Sequence, residues 1–537
     1  MRVADLVAQT LANFGAQHAF GMPGGEVLTL VDALNSAGVR FVLARNENAA
    51  AIMAAGACTV TGGAGVLVTT LGPGLANAVN GIADASQEHV PLIVLTGVVD
   101  HAVRDRYTHQ VIDHRALLRP LVKGCFEVEV EGAAAVVSRA VSLAMTAPMG
   151  PVLIELAPGT AQTEAPSDER PRSPPKVLQP ALAEDGESTA LLQNLLAGAR
   201  RPLVIAGFDA VRAEASAALR AVAERFAIPV ITTYKAKGLI AETHQLSLGA
   251  AGLSPLADRH LLPLVRSADV VLLVGYDPIE MRQGWLDPFD EEAEVIEITA
   301  SSPDHGMHRV SMRMEGDIAA ILSALLPKQI SPATPWADRE PDAVKQALAQ
   351  AFSVRADWGP HAVIDAIERR MPSEATVTVD SGAHRILLSQ MLKINRPLGL
   401  LQSAGFCTMA AALPLAIGLK RAARDRPVIA VLGDGGLEMG IGELATLRDE
   451  GLAVVLVVFQ DESLALIELK QRQFQLSNAG VRLGRTAYED VARAFGGCGV
   501  RACSVADFEQ AFDAALRAET FTLIVCEIKA SDYVESI

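Results

Sequence analysis

Aromatic residues make up only 4% of this 537-residue chain, and the sequence has no basic cluster, no paired cysteines and no long uncharged run. Each absence removes a class of protein. A formal net charge of −16 without a Lys/Arg cluster argues against a nucleic acid or an anionic membrane as partner. The six cysteines, at 58, 125, 407, 498, 503 and 526, show neither CxxC pairs nor metal-like spacing. No disulfide framework is implied, and they are expected to be reduced and mostly packed, as in an intracellular protein. No uncharged run reaches the ~18–20 residues that a transmembrane helix needs. Met1-Arg2-Val3-Ala4-Asp5 leads straight into a helical pattern, so a cytoplasmic location is expected. The middle third lacks both GxGxxG and GxxxxGK[ST], which gives no reason to expect NAD or ATP.

What is present is a 50% hydrophobic chain in which Ala, Val, Leu and Gly dominate, the composition of alternating parallel strands and helices. Two proline-rich stretches, 158–186 and 327–342, read as linkers. They divide the chain into three α/β units, expected at 1–165, 186–326 and 343–537, each a doubly wound parallel sheet. Strand-like runs in the middle unit fall at 202–207, 229–233, 270–275 and 294–298.

Two short acidic turns carry most of the chemistry. Gly433-Asp434-Gly435-Gly436 and Gln460-Asp461-Glu462-Ser463 each follow an apolar strand-like run, 427–432 and 453–459, with a helix-like stretch at 437–450 between them. In such a β-α-β unit the crossover returns the chain parallel to the first strand, so Asp434 and Asp461 emerge at one sheet edge. Their oxygens can converge on a hard cation. Gly435 and Gly436 admit a ligand close to backbone N–H groups, and the following helix N-terminus favours an anion, so a diphosphate bridged by Mg²⁺ is the natural occupant.

At these residues the chain resembles the thiamine diphosphate enzymes, specifically their acetohydroxyacid synthase-like branch, whose motif is GDG followed by NN. Asp461 stands where that family has its second Asn. The resemblance assigns Mg²⁺ to Asp434, Asp461 and the backbone carbonyl of Ser463, with Gly433, Gly435, Gly436 and Leu464 beside the cofactor. Further motifs follow in family order. Arg45-Asn46-Glu47-Asn48 precedes a stretch, 49–61, that is almost free of charge and reads as a buried helix. The resemblance makes Glu47 the proton relay to the cofactor's aminopyrimidine ring, a role for which burial should raise its pKa. Gly72-Pro73-Gly74 and Asn77, and the Phe20–Gly25 turn with Gly24, resemble segments near a partner subunit's cofactor. His109-Gln110 sits where the family usually has Phe-Gln, which makes Gln110, and less readily His109, a substrate-site candidate.

In the last third, Asp380-Ser381-Gly382-Ala383-His384 resembles a DxGxH segment whose Gly382 and His384 approach the diphosphate. Gly405-Phe406-Cys407-Thr408-Met409 resembles the GTM element, with the Cys407 carbonyl facing the pyrimidine amino group and Met409 wedging the cofactor. Cys407 replaces the usual Gly. Leu466-Ile467 stands for the Met-Val of biosynthetic relatives, and Lys470 occupies the place of their substrate-selecting Trp. Lys470 is either a solvated helix residue or a cation at the pocket entrance. Val274-Gly275-Tyr276-Asp277-Pro278 resembles FAD-free relatives, so FAD is not expected. The resemblance implies a homodimer or homotetramer with active sites shared between chains, decarboxylating a 2-oxo acid and ligating the product to a second carbonyl compound. A simple decarboxylase, a 2-hydroxy ketone lyase and a non-catalytic cofactor-binding homologue are the alternatives; Glu47 argues against the last.

Overall fold

The computed structural model describes residues 1–100, 102–174, 186–302, 305–326, 335–354 and 356–534. Apolar runs bounded by Gly, Pro and acidic turns form three six-stranded parallel sheets. The first holds β1 (His18–Met22), β2 (Arg40–Leu43), β3 (Gly65–Thr69), β4 (Leu92–Gly97), β5 (Cys125–Glu127) and β6 (Val152–Leu156), in the order 2-1-3-4-6-5. The second holds β7 (Pro202–Ala206), β8 (Val230–Thr233), β9 (Ser247–Ala251), β10 (Val270–Val274), β11 (Glu294–Thr299) and β12 (Met312–Glu315), in the order 12-11-10-7-8-9. The third holds β13 (Thr376–Val379), β14 (Leu400–Leu401), β15 (Val428–Gly433), β16 (Val455–Gln460), β17 (Cys498–Ala502) and β18 (Thr522–Glu527), in the order 14-13-15-16-18-17. Helices cover the faces, the doubly wound α/β arrangement. The central strands are buried along their length, β3, β4, β7, β10 and β16 without exception, as strands between two helical layers must be.

The first and third units of the chain meet along a pair of helices, Glu47–Thr61 and Ala412–Ala422. Both are rich in Ala and almost wholly buried, and each carries one glycine in its interior. A Cβ on Gly56 would lie 2.4 Å from the Leu415 carbonyl oxygen, and one on Gly418 would lie 1.9 Å from that of Met53. Interior glycine costs a helix about 1 kcal/mol against alanine. Here it is needed because two backbones touch.

Three expectations need correction. The 158–186 stretch opens as the helix Pro158–Gln162, and the amide of Val3 donates to the Thr163 carbonyl at 2.9 Å, so its first part is packed on the first unit, against the helices Val3–Asn13 and Leu28–Ser36. Residues 175–185 lie outside the described residues. In the second stretch, 327–334 lie outside them too, but Trp336 is buried and its indole N–H donates to the Pro202 carbonyl at 2.8 Å. The helix Glu340–Ala351 begins there as well, so the boundary expected at 343 falls inside a helix. The stretch 437–450 is two short helices, Asp434–Gly440 and Leu444–Glu450, separated by the 3₁₀ turn Ile441–Glu443. The cysteines are free, but of the six only Cys526 is buried, and Cys498 and Cys503 are exposed on and beside an edge strand.

Candidate active site

β15 and β16 are adjacent and parallel, with Gly433 paired to Phe459, so the turns that follow them open at the same sheet edge. Asp434 is the first residue of its helix. Its Oδ1 accepts the Gly435 amide at 2.8 Å, and its Oδ2 accepts the amides of Asp461 and Glu462 at 3.2 and 2.7 Å. Asp461 Oδ1 accepts the Ser463 amide at 3.0 Å. Burial pushes the Asp434 carboxyl above its usual range despite those donors. Burial, and then the charge of Asp434, push Asp461 up to about 8. Two buried carboxyl groups, one of them held protonated by burial and by the charge of the other, are what a divalent cation between them would relieve.

These residues line a cleft of about 160 Å³ together with Gly382, His384, Met409, Gly433, Gly435, Gly436, Ser463, Leu464 and Leu466. His384 is 5% exposed, and among the described residues its Nε2 has no hydrogen-bond partner. Burial and the neighbouring Arg385 lower its pKa to about 3, so a neutral imidazole borders the cleft. Gly436 is required by contact: a Cβ there would lie 1.9 Å from Asp380 Oδ2. The orphaned imidazole, the uncompensated acids and the glycine-lined floor fit a diphosphate with its Mg²⁺.

Asp380 is the residue that the sequence motif contained but gave no task. It is fully buried, and it accepts the amides of Ser381, Ala410 and Ala411 at 2.9, 3.0 and 3.0 Å, which ties the Met409 loop to the end of β13. That loop is strained. Cys407 at φ 57° and Ala410 at φ 62° both occupy the left-handed region that favours glycine. The Cys407 carbonyl accepts a hydrogen bond from Ser381 Oγ at 2.8 Å, which leaves one lone pair for a ligand.

Glu47 lies elsewhere. It begins its helix behind the N-cap Asn46, is 6% exposed, and accepts from Asn77 Nδ2 through Oε2 at 2.7 Å. Asn77 therefore contacts the acid itself. Glu47 is not among the residues lining the Asp434 cleft of the same chain. Around it gather the other first-unit candidates. The Gly72 amide donates to His114 Nε2 at 3.0 Å, and Gln110 packs its backbone against Gly72. Gly24 backs onto Thr70, whose Oγ1 donates to Glu26 at 2.6 Å. His109 and Gln110 are exposed, Gln110 with φ 59°. Lys470 is also exposed, on the helix Ala465–Gln473, and does not line the cleft. The inward position of that helix belongs to Glu468, wholly buried, which accepts from Ser463 Oγ and pairs with Arg472 and Arg482.

Sequence reasoning missed the residue that joins the units. Glu88 Oε1 accepts the amides of Ala404, Gly405 and Phe406 at 2.8, 2.7 and 3.3 Å, and Oε2 lies 2.5 Å from Lys235 Nζ. One carboxylate of the first unit thus holds the Met409 loop of the third and a lysine of the second. Burial alone would raise its pKa, but Lys235 and the amides outweigh burial and hold it below the usual range. One turn earlier, Asp84 accepts from Ser403 Oγ at 2.5 Å; burial and the charge of Glu88 push it up to about 7.

Three parallel sheets with paired acids at the mouth of the third, and a buried glutamate heading a helix of the first, define an α/β protein with an acid-lined cleft at one sheet edge. The thiamine pyrophosphate enzyme family matches the chain in three parts: its N-terminal TPP binding domain at residues 1–117, its central domain at 190–325 and its C-terminal TPP binding domain at 380–526. Acetolactate synthase of Bacillus subtilis (strain 168) is 29% identical, over 99% of this chain and 94% of that protein. The acetolactate synthase large subunit of Parasynechococcus marenigrum (strain WH8102) is 30% identical, over 98% and 88%. Acetolactate synthase isozyme 1 large subunit of Escherichia coli (strain K12) is 28% identical, over 92% and 88%. The chain belongs to the thiamine pyrophosphate enzyme family and is a thiamine diphosphate-dependent enzyme of the acetohydroxyacid synthase-like branch.

Proposed function

We propose that this enzyme, with Mg²⁺, decarboxylates a 2-oxo acid and ligates the remaining acyl unit to a second carbonyl compound, giving an acetolactate-type product. The observation that carries the reading is the split of the acids: Glu47 at the head of a buried helix in one unit, Asp434 and Asp461 at a cleft in another. The near full-length likeness to proteins named acetolactate synthase supports ligation as the second step.

Asp434, Asp461 and the Ser463 carbonyl would hold Mg²⁺, and His384 with Gly382, Gly433 and Gly436 would border the diphosphate. Thiamine diphosphate, when bound, supplies the carbon nucleophile and electron sink that 2-oxo acid decarboxylation needs. Glu47 would hold and move the proton at the ring nitrogen of the cofactor's pyrimidine. Asn77 fixes one of its oxygens, so the other stays free for that transfer. Leu464, Leu466 and Met409 give the cleft an apolar wall that excludes water. Because Glu47 does not line its own chain's cleft, the working site is completed between two chains of a homo-oligomer, most simply a dimer.

Incubation with a panel of 2-oxo acids, following CO₂ and ligated products together, tests the reading. A 2-hydroxy-2-methyl-3-oxo acid formed in step with CO₂ is expected from pyruvate. CO₂ with an equal yield of free aldehyde would replace ligation by simple decarboxylation.

A further inference from the structure

The second sheet carries a cluster that the cofactor chemistry does not use. Glu297 on β11 pairs in register with Arg313 on β12, and residues between the two strands bring His305 and His308 to the same place. One ligand atom from each of Glu297, His305 and His308 lies within 4.8 Å of the other two. Glu297 is 1% exposed. Its Oε2 accepts from Arg313 Nε at 2.5 Å, whereas its Oε1 is buried and has no hydrogen-bond partner among the described residues. The Nε2 atoms of His305 and His308 are buried and, among the described residues, unpartnered as well.

An unsatisfied buried polar group costs roughly 1–3 kcal/mol, so three on residues clustered this closely call for an occupant. The donor set says which kind. Two imidazoles and one carboxylate suit a borderline divalent transition ion such as Zn²⁺, whereas Mg²⁺ and Ca²⁺ prefer oxygen alone. The surroundings agree. The ring of Tyr276 stacks on His308 at 5.8 Å and that of Phe289 meets it edge-on at 5.6 Å, two largely buried rings that limit water. Arg313, which also donates to Ser302 Oγ at 2.8 Å, fixes the carboxylate as an outer partner does in metal sites. Tetrahedral Zn²⁺ at ~2.0–2.1 Å from nitrogen sets its ligand atoms ~3.4 Å apart, a contraction that side-chain rotation can supply. The contact from Met307 N–H to His305 Nδ1 is long at 3.4 Å.

We propose that Glu297, His305 and His308 form a site for a Zn²⁺-class cation, separate from the cofactor's metal, that ties residues 305–308 to β11 and leaves one coordination position for water. Co²⁺ is the probe. Holoenzyme treated with a chelator and returned to Mg²⁺ and thiamine diphosphate should bind one Co²⁺ per chain with visible d–d absorption of tetrahedral intensity. His305→Ala and His308→Ala should each weaken that binding at least tenfold, while Asp434→Asn keeps it. Absence of a saturable band, a band that survives both histidine substitutions, or one that vanishes with Asp434→Asn would overturn the proposal. Should the histidine variants not fold, X-ray absorption on Zn²⁺-loaded wild type decides: two imidazoles in the first shell support the site, and an all-oxygen shell sinks it.

Discussion

The first and third sheets run in the same strand order, yet they carry their acids at different places. In the first, the turn after β2 leads to Glu47, while the turn after β3 is the uncharged Gly72-Pro73-Gly74. In the third, the turn after the matching strand β15 holds Asp434, that after β16 holds Asp461, and the segment after β14 is the apolar Met409 loop. The two helices that occupy equivalent positions, Glu47–Thr61 and Ala412–Ala422, face each other across Gly56 and Gly418. On the proposed function, a single scaffold used twice has complementary chemistry, one half for moving a proton and the other for holding charge. The scaffold sets where strand ends point; the turn residues decide what is done there.

The comparison can be broken most severely at Asp434. Saturating Mg²⁺ and thiamine diphosphate, at a hundred times Kd, should stabilise the wild type by about 2.7 kcal/mol. Asp434→Ala should lose that gain in melting temperature and all turnover, and a variant that still responded like the wild type would remove Asp434 from the metal site.

Glu47→Gln should leave that thermal gain intact and slow exchange of the cofactor's C2 proton by ~10²–10⁴-fold. NMR in D₂O reads this directly, and unchanged exchange would end the division of labour. Co-refolding inactive Glu47→Gln and Asp434→Asn chains sharpens it further. Random pairing should restore about one quarter of the sites in a two-fold dimer with shared sites. Heterodimers, verified by mass spectrometry, that stayed inactive would place both acids in one chain's site.

A smaller effect is expected at Asp84, the buried acid between the halves. Its pKa is pushed up to about 7 when folded, against an ordinary carboxylate value when unfolded. Between those values the native state holds a proton that the unfolded chain releases, so this contribution to stability is complete at low pH and is lost as pH rises through about 7. The melting temperature of Asp84→Asn should therefore fall less than the wild type's between pH 5 and pH 8. Parallel profiles would show that Asp84 ionises freely. The smallest effect belongs to Lys470→Trp: with the side chain in solvent, specificity ratios among 2-oxo acids should shift by less than about tenfold. A larger swing towards apolar substrates would put Lys470 at a pocket entrance.

A Gly-Asp-Gly turn alone is more often a plain surface turn; the strand ends at Asp434 and Asp461 were legible because other motifs fall in family order around them, and their convergence follows from the parallel crossover. The buried helix after Glu47 was legible from its lack of charge. What escaped has its reason in sequence distance. The partners of Glu88 are amides 316 to 318 residues away, and those of Asp380 include amides 30 and 31 residues on, so nothing local marks either as buried. The reason for Gly56 and for Gly418 is a backbone far away in sequence, so nothing local marks either glycine as a packing residue. In the Ala465–Gln473 helix, apolar spacing could not show that the fully buried acid is Glu468, because three polar partners from two loops and its own helix compensate it there.

Glu88 bears on how the molecule comes apart. Three units, each with a sheet of its own, could melt one after another. A single carboxylate shared by all three raises the cost of losing any one, since the remaining two would keep a buried charge with part of its partners gone. Calorimetric unfolding should thus be one cooperative event in the wild type and resolve into separate transitions in Glu88→Gln, and a single undivided peak in that variant would assign the cooperativity to the glycine-crossed helices instead.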